Sequence, residues 1–170
     1  AATDGTRVRL VQLPDPATPA TAKVLGSFDV GVAIGDVALS NDRVFVSKQA
    51  FGVASYDVTN PADATLIDSE DDPDGPCPDG CLDSASTVVK DGGDLFVAFG
   101  RGGVQKFAID AAGALTPSTI YKGASNARTV AVAGSNVYVG ADEGLYIFDR
   151  NGDGQSPSWV DQSGHGIART

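Results

Sequence analysis

A strand-and-turn unit recurs along this chain, and it constrains the fold more than any other feature. Three segments show the unit plainly: Val37–Ser69, Thr87–Gly123 and Thr129–Gly164. Each has a short apolar run, a polar turn and two alternating strands separated by a glycine. The marker glycines, 51 and then 41 residues apart, are Gly52, Gly103 and Gly144. A four-stranded unit that repeats about every 40–50 residues is typical of β-propeller blades.

The repeats predict a single all-β, propeller-like domain over residues 1–170, with about three and a half four-stranded blades. Complete blades are expected at 36–68, 86–122 and 128–161, a half blade at 6–27, and the start of a further strand at 166–170. Propellers close into rings with roughly four to eight blades, so a shorter arc leaves unpaired strand edges. The missing strands are expected from further chain or from another subunit.

Those unpaired edges are the predicted interaction surfaces. On one side lies the strand of the half blade that contains Arg7, Val8 and Leu10, because no earlier strands are expected to cover it. On the other side lies a segment that matches Asn126–Thr129. Its residues are Gly166, Ile167, Ala168, Arg169 and Thr170. Adding this segment to the open blade of the next subunit would give a head-to-tail contact, and so a ring or a filament.

Composition excludes several partners. The net charge is −10, with 20 Asp and only 2 Glu, which argues against binding to nucleic acid or to anionic membranes. No run approaches the ~18 apolar residues that a membrane-spanning helix needs, so membrane insertion is not expected. The chain has no Met and starts with Ala1-Ala2-Thr3-Asp4, which favours a processed N terminus. A secreted, periplasmic or cell-surface protein is therefore predicted.

The motifs in the last repeat resemble a known family. Ala127–Gly140 reads ARTVAVAGSNVYVG, Gly144–Asp149 reads GLYIFD, and Tyr56–Pro61 (YDVTNP) supplies a further element. Leu13–Pro16 is a degenerate copy of that element. Together these stretches resemble the LVIVD-type β-propeller repeat, and the resemblance covers most of the chain. It implies a propeller fold in a secreted or surface protein of bacteria or archaea, and it implies no particular activity.

One loop has the spacing of a calcium site. The D-x-N-x-D-G pattern places oxygen ligands at Asp149, Asn151 and Asp153, and a backbone carbonyl at Gln155. The twelfth position, where such loops carry a bidentate acid, is Val160, so Asp161 would have to complete the set. The alternative is an Asx-rich hairpin loop without a metal. If calcium is bound, a structural role is expected.

The insertion at residues 69–84 is acidic and contains both cysteines, Cys77 and Cys81. They enclose Pro-Asp-Gly, a strong turn, so a small-ring disulfide is predicted and suits a secreted protein. A redox or metal-binding pair is the alternative, although the C-x-x-x-C spacing and the lack of further cysteines disfavour zinc. The surrounding carboxylates are expected to form a solvated loop, with a cation or a basic partner as the alternative.

These features favour a non-enzymatic extracellular binding or assembly module. The first alternative is part of a propeller hydrolase or dehydrogenase, which needs several Glu, Asn, Asp or His around the axis. The loops expected there are Ala33–Gly35, Ser84–Ala85 and Ala124–Asn126, which offer little of that chemistry, and His165 is the only histidine. The second alternative is a structural subunit of an extracellular polymer.

Overall fold

The computed structural model describes residues 1–12, 22–71, 84–124 and 126–161, in which the regular elements are β-strands in four antiparallel sheets. The first sheet consists of β1 (Ala2–Asp4), β2 (Arg7–Gln12) and β3 (Lys23–Asp29). The second consists of β4 (Asp36–Ser40), β5 (Arg43–Ser47), β6 (Val53–Asp57) and β7 (Thr65–Glu70). The third consists of β8 (Ala85–Asp91), β9 (Asp94–Phe99), β10 (Val104–Ile109) and β11 (Leu115–Tyr121). The fourth consists of β12 (Ala127–Ala133), β13 (Asn136–Ala141), β14 (Gly144–Asp149) and β15 (Trp159–Asp161).

Neighbouring strands in each sheet are neighbours in sequence, so every sheet is a simple meander. Two-residue turns make the tightest connections. Asn41-Asp42 joins β4 to β5, and Gly134-Ser135 joins β12 to β13, with Asn41 at φ 50° and Gly134 at φ 58°. Two-residue hairpins favour such left-handed backbone, because it matches the twist of the paired strands. The predicted all-β fold of four-stranded, propeller-type blades is confirmed.

The first sheet contains a strand that the sequence did not predict. β1 pairs with β2, with Thr3 opposite Val8 and Asp4 opposite Arg7. Within the described residues this sheet therefore has three strands, where only two were expected in the segment 6–27. β1 is only three residues long and has no apolar alternation, which is why its pattern gave no signal.

The sheets pack face to face in chain order. The packing explains why β9 is apolar along its whole length. Leu95 and Val97 face the second sheet, whereas Phe96 and Ala98 face the fourth, and all four side chains are fully buried. A strand covered on both faces loses the apolar-polar alternation of a half-exposed strand. Three core clusters join the first sheet to the second, the second to the third, and the third to the fourth.

The first strands of successive sheets approach one another, since β8 contacts both β4 and β12. We therefore call β4, β8 and β12 the inner strands. Among the described residues no core cluster joins the fourth sheet back to the first, so the stack is an open arc. No helix in these ranges is long and apolar enough to cross a membrane.

Candidate functional site: the open ends of the sheet array

Successive sheets are linked by a backbone hydrogen bond that occurs three times at equivalent places. The amide of a residue at or just before an inner strand donates to a carbonyl in a hairpin of the preceding sheet. These bonds run from Ile34 to Gly5, from Ala85 to Gln49 and from Ala127 to Gly100, at 3.1, 3.0 and 2.6 Å. All three acceptors have left-handed backbone, with φ of 63°, 49° and 51°. The link has a direction, because each sheet accepts from the one that follows it.

A second repeated contact holds the outer part of the array. The loop between the last two strands of a sheet docks on the last strand of the preceding sheet. Gly154 lies so close to Ile120 that a Cβ at Gly154 would come within 2.3 Å of the Ile120 carbonyl oxygen. In the contact between the first two sheets the glycine is on the strand: a Cβ at Gly26, in β3, would come within 1.7 Å of the carbonyl oxygen of Pro61, in the loop between β6 and β7. Both approaches require glycine, because no neighbouring backbone can move by that much.

The first sheet has an open inner edge in the described structure. β1 pairs with β2 on one side only, because no inner strand lies beside it among the described residues. Leu39, on β4, lies opposite Val44 on the face turned toward the first sheet, and its side chain is 52% exposed. At the equivalent place in the fourth sheet, Val132 packs into the core beside the third sheet. Leu39 is thus exposed where an inner strand of the first sheet would cover it.

The residues that the sequence proposed for this edge lie elsewhere. Val8 and Leu10 are only 0% and 5% exposed and form the core against the second sheet. Arg7 is on the opposite, exposed face, 3.9 Å from the Asp29 carboxylate. Their place in the structure follows from the alternation of β2, which directs every second side chain into the stack. β1 carries the open edge instead.

Charged pairs occupy the outer face of the first sheet. Arg9 donates to the Asp4 carboxylate at 2.8 Å, and Asp29 accepts a 2.8 Å hydrogen bond from the Gly31 amide. That backbone bond lowers the pKa of Asp29, with Arg7 contributing less. These groups are exposed, so their ion pairs add little stability. Because each Arg already has a carboxylate partner, the face is nearly neutral despite the acidity of the chain.

The fourth sheet presents its other face at the far end of the stack. Tyr146 and Phe148 are buried against the third sheet, so the alternate residues Leu145 and Ile147 point away from it. Tyr138 lies opposite Ile147 on that same face and is half-buried. The equivalent faces of the three preceding sheets each pack against the sheet that follows. This end therefore carries the apolar pattern of a packing surface.

An arginine cluster locks the third and fourth sheets together. Arg150 binds the Asp91 carboxylate and donates to Asp94 at 2.9 Å, and its guanidinium lies 5.4 Å from the centre of the Phe96 ring. The hydrogen bond to Asp94 is the main reason that the pKa of Arg150 is raised. The Tyr121 hydroxyl donates to the Arg150 carbonyl at 2.6 Å. This cluster is occupied by contacts within the chain, so its role is structural.

The Arg128 guanidinium binds Asp142 within its own sheet, while the Arg128 carbonyl accepts from the Ser86 hydroxyl of the third sheet at 2.8 Å. Asn126 donates to the same Asp142 carboxylate at 2.5 Å. The hydrogen bond from Arg128, followed by that from Asn126, lowers the pKa of Asp142. The Arg128–Asp142 ion pair thus holds the start of β12 against the hairpin between β13 and β14. Arg169 lies outside the described residues.

The loop proposed for calcium is a pair of Asx turns. Asp149 accepts from the Asn151 amide at 2.9 Å, and Asp153 accepts from the Gln155 amide at 3.0 Å. In the described ranges no three His, Cys, Asp or Glu side chains come together, and nothing is described of the Asp161 side chain. The Gly154 carbonyl accepts from the Lys122 amide at 2.8 Å, which ties the loop to the third sheet. Calcium binding stays a prediction from the sequence.

Other predicted site residues lie outside the described ranges. These are the cysteines Cys77 and Cys81, the segment Gly166–Thr170, and His165. The disulfide, the strand at 166–170 and any role of His165 therefore stay predictions.

A cleft of about 340 Å³ lies between the second and third sheets. Its lining includes Asp42, Arg43, Lys90 and Asp110. Arg43 is already bound to Asp57 at 2.9 Å and donates to the Ala112 carbonyl at 3.2 Å. Asp110 accepts from two backbone amides. The lining is of mixed charge, and its Arg43 and Asp110 side chains are already held by contacts within the chain.

No family model matches the sequence, and no curated protein matches it, so the resemblance to the LVIVD-type repeat stays a prediction. Among solved structures the chain is similar to the computationally designed Ika8 protein, with a TM-score of 0.60 and 17% identity. That match covers 82% of this chain and 41% of Ika8. It is also similar to the computationally designed Ika4 protein, with a TM-score of 0.57, 18% identity, and coverage of 78% and 76%. At these identities the likeness shows the fold alone.

Sequence reasoning missed both repeated links between sheets. They are made by backbone carbonyls and amides, and a sequence pattern reports side chains. A weak signal exists at Gly5 and Gly100, because glycine is the residue that most readily takes left-handed backbone. Gln49, at the third equivalent position, gives no such signal.

Proposed function

We propose that this chain is a non-enzymatic extracellular module for binding and assembly, and that it associates through the two ends of its sheet array. The observation that carries the proposal is the inner edge of the first sheet: among the described residues β1 pairs only with β2, and the neighbouring Leu39 is 52% exposed. An unpaired strand edge next to an exposed apolar side chain is a template for strand addition.

The far end supports the same proposal. Leu145, Ile147 and Tyr138 repeat, on the fourth sheet, the pattern that packs each earlier sheet against its successor. The face at the first sheet is different, since it carries the Arg9–Asp4 and Arg7–Asp29 pairs. Because the two ends differ, association between copies is head-to-tail, which builds rings or filaments. This makes a structural subunit of an extracellular polymer the second candidate function.

The axial residues favour binding or assembly over hydrolysis. In the described ranges, the residues at the starts of the inner strands include Ala33–Gly35, Ser84–Ala85, Ala124 and Asn126, which offer little acid, base or nucleophile chemistry. A propeller hydrolase places its catalytic groups at such positions. The acidic surface and the predicted Cys77–Cys81 bond suit a secreted, periplasmic or cell-surface location.

Sedimentation velocity of the intact protein over a hundredfold range of concentration tests the proposal. We expect the weight-average mass to rise above the 17.3 kDa of one chain, with intermediate species at intermediate concentrations. Added salt is expected to favour association, because it screens the repulsion between copies of net charge −10. A single 17.3 kDa species at every concentration and ionic strength would overturn self-assembly.

A further inference from the structure

We propose that the cleft between the second and third sheets binds a small organic carboxylate, which the Lys90 ammonium anchors while Phe45 and Ile109 contact its apolar body. All three residues line the cleft, whose volume of about 340 Å³ is within the range of small-molecule pockets. The cleft lies away from the two ends of the array. It therefore adds a ligand class that self-association does not require.

A recurring backbone hydrogen bond identifies equivalent residues in the second, third and fourth sheets. In each, a residue at or just after the end of the third strand donates its amide to the turn that joins the first two strands. These bonds run from Val58 to Asp42, from Ile109 to Gly93 and from Arg150 to Ser135, at 2.9, 2.8 and 2.8 Å. Ile109 therefore holds, in the third sheet, the place that Arg150 holds in the fourth.

Between the third and fourth sheets, the Arg150 side chain fills the space that corresponds to the cleft. Its guanidinium lies 5.4 Å from the centre of the Phe96 ring. It also binds the carboxylates of Asp91 and Asp94. A cation of the fourth sheet thus sits on an aromatic ring and between two carboxylates of the third sheet.

The cleft is the same place between the second and third sheets, with different residues around it. Phe45 lies opposite Ala38 as Phe96 lies opposite Val89, so the two aromatic rings are equivalent. Ile109 stands where the long arginine would be, and its short side chain has no polar group to place over the ring. A cleft lined by Phe45 and Ile109 remains.

The two carboxylates that bind the arginine are replaced in the cleft. Ser40 pairs with Arg43 across the first hairpin of the second sheet, as Asp91 pairs with Asp94 in the third. Ser40 and Arg43 both line the cleft. A hydroxyl and a guanidinium thus take the places of two carboxylates, which removes the attraction for a cation.

Lys90 brings a second positive charge to the cleft from the third sheet. It lies opposite Leu95, whose side chain packs against the second sheet, and directly paired residues share a face. The fourth sheet has the apolar Val132 at this place. Lys90 is half-buried, and within the described part of the chain its ammonium makes no ion pair or hydrogen bond. A half-buried ammonium without a partner favours an anionic ligand.

The other charged side chains of the lining leave Lys90 as the anchor. Arg43 is bound to Asp57 at 2.9 Å. Asp110 accepts two backbone amides of its own turn at 2.8 Å. Asp42 is exposed at the turn between β4 and β5, where water screens its charge. The unpaired charge in the half-buried part of the cleft is therefore positive.

The lining favours a monoanion with an apolar body. Phe45 and Ile109 offer apolar contact, and the Lys90 ammonium can neutralise one negative charge. Asp42 and Asp110, at the same cleft, repel an anion of higher charge such as phosphate. A carboxylate on an aromatic or aliphatic body meets both conditions.

Nuclear magnetic resonance titration of the isotope-labelled protein with benzoate tests the site. We expect saturable shifts of the amide signals of Gly92, Gly93 and Gly113, which line the cleft. Benzamide, which has the same shape without the charge, should bind about tenfold more weakly or worse, and benzylamine should not bind there. Equal affinities for benzoate and benzamide, or shifts that spare these glycines, would overturn the proposal.

Two lysine variants test the anchor. Lys90→Met removes the charge and keeps the length of the side chain. Lys122→Met is the matched control, because Lys122 is exposed, follows β11 of the same sheet and does not line the cleft. We expect Lys90→Met to weaken benzoate binding by about tenfold or more and Lys122→Met by less than about twofold. Thermal melting checks that both variants fold, and equal losses in the two would show a general charge effect and overturn the anchor.

Sedimentation velocity with and without benzoate separates this site from self-association. We expect the same mass distribution in both, because the cleft lies away from the ends of the array. A protein that binds benzoate in the cleft but stays monomeric would support the site and contradict assembly. A protein that assembles but binds no benzoate would overturn the site and leave assembly standing.

Discussion

At the scale of single residues, Tyr121 and Arg150 show how the inter-blade cores hold polar groups. Tyr121 is fully buried, and its hydroxyl donates to the Arg150 carbonyl at 2.6 Å. Burial, with a smaller contribution from Asp94, raises the pKa of Tyr121 to about 12. The phenol ring also packs edge-on against Phe148, with ring centres 5.5 Å apart. One side chain thus joins the apolar core to the arginine cluster at the rim.

We predict an alkaline signature for Tyr121. The folded state keeps the phenol neutral to about pH 12, whereas the unfolded chain ionises it near pH 10, so stability should fall as pH rises between these values. Tyr121→Phe should lower the free energy of unfolding at pH 7 by about 1 kcal/mol through the lost hydrogen bond. It should also flatten the decline between pH 10 and 12. Urea titrations across that range measure both effects.

Tyr138→Phe is the matched control for this prediction, because Tyr138 is half-buried and its hydroxyl accepts a long, 3.4 Å hydrogen bond from the Asn136 amide. Its stability profile should follow that of the wild-type protein at alkaline pH. An equally steep decline in Tyr121→Phe would show that other groups cause the alkaline loss.

At the scale of elements, the sequence predicted the positions of most strands, but it predicted less well which residues are equivalent between sheets. Apolar runs and Gly-rich turns located the strands of the second, third and fourth sheets, because alternation and turn chemistry are local properties. β1 was not predicted, because a strand of three residues is too short to show an alternating hydrophobic pattern. In the third sheet, Ala108 occupies the register position that Asp57 and Asp149 hold in the second and fourth sheets, and Asp110 begins the following turn.

The candidate site was harder to predict than the fold. The expectation of open edges came from counting strands, and it stays a prediction. The side chains chosen there, Val8 and Leu10, face the core, because which face of β2 is covered depends on the neighbouring sheet. Exposure of Leu39 also depends on a strand missing from another sheet. Burial that depends on a neighbouring sheet cannot be predicted from the local sequence pattern.

The loop from Asp149 to Gln155 yields a second prediction. If it binds calcium, adding the ion after chelation should raise the melting temperature of the wild-type protein. The linkage amounts to roughly 2.7 kcal/mol at a hundredfold excess over the dissociation constant. Asp153→Ala should abolish that response. Scanning calorimetry with EDTA and with calcium measures it.

Asp29→Ala is the control for the loop, because Asp29 accepts from the backbone amide two residues later just as Asp153 does. That variant should lose its turn but keep the calcium response. Identical melting of the wild-type protein with EDTA and with calcium would leave the Asx-turn interpretation, in which the loop serves only to dock on the third sheet.

At the scale of the whole molecule, the contacts between sheets all have the same polarity along the array. The inter-sheet hydrogen bonds, the docking loops and the chain connections all run from each sheet to the next. An array of this kind can be extended at both ends without new types of contact. The similarity to Ika8, of which this chain spans 41%, shows that a comparable fold occurs within a longer chain.

Images of the assembled protein by cryo-electron microscopy test the central claim most directly. The account predicts rings with rotational symmetry, or helical filaments, in which four-stranded sheets continue from one copy to the next without a break. In either form the first sheet of each copy should lie against the fourth sheet of its neighbour. Two-fold symmetric pairs, or isolated arcs, would contradict it.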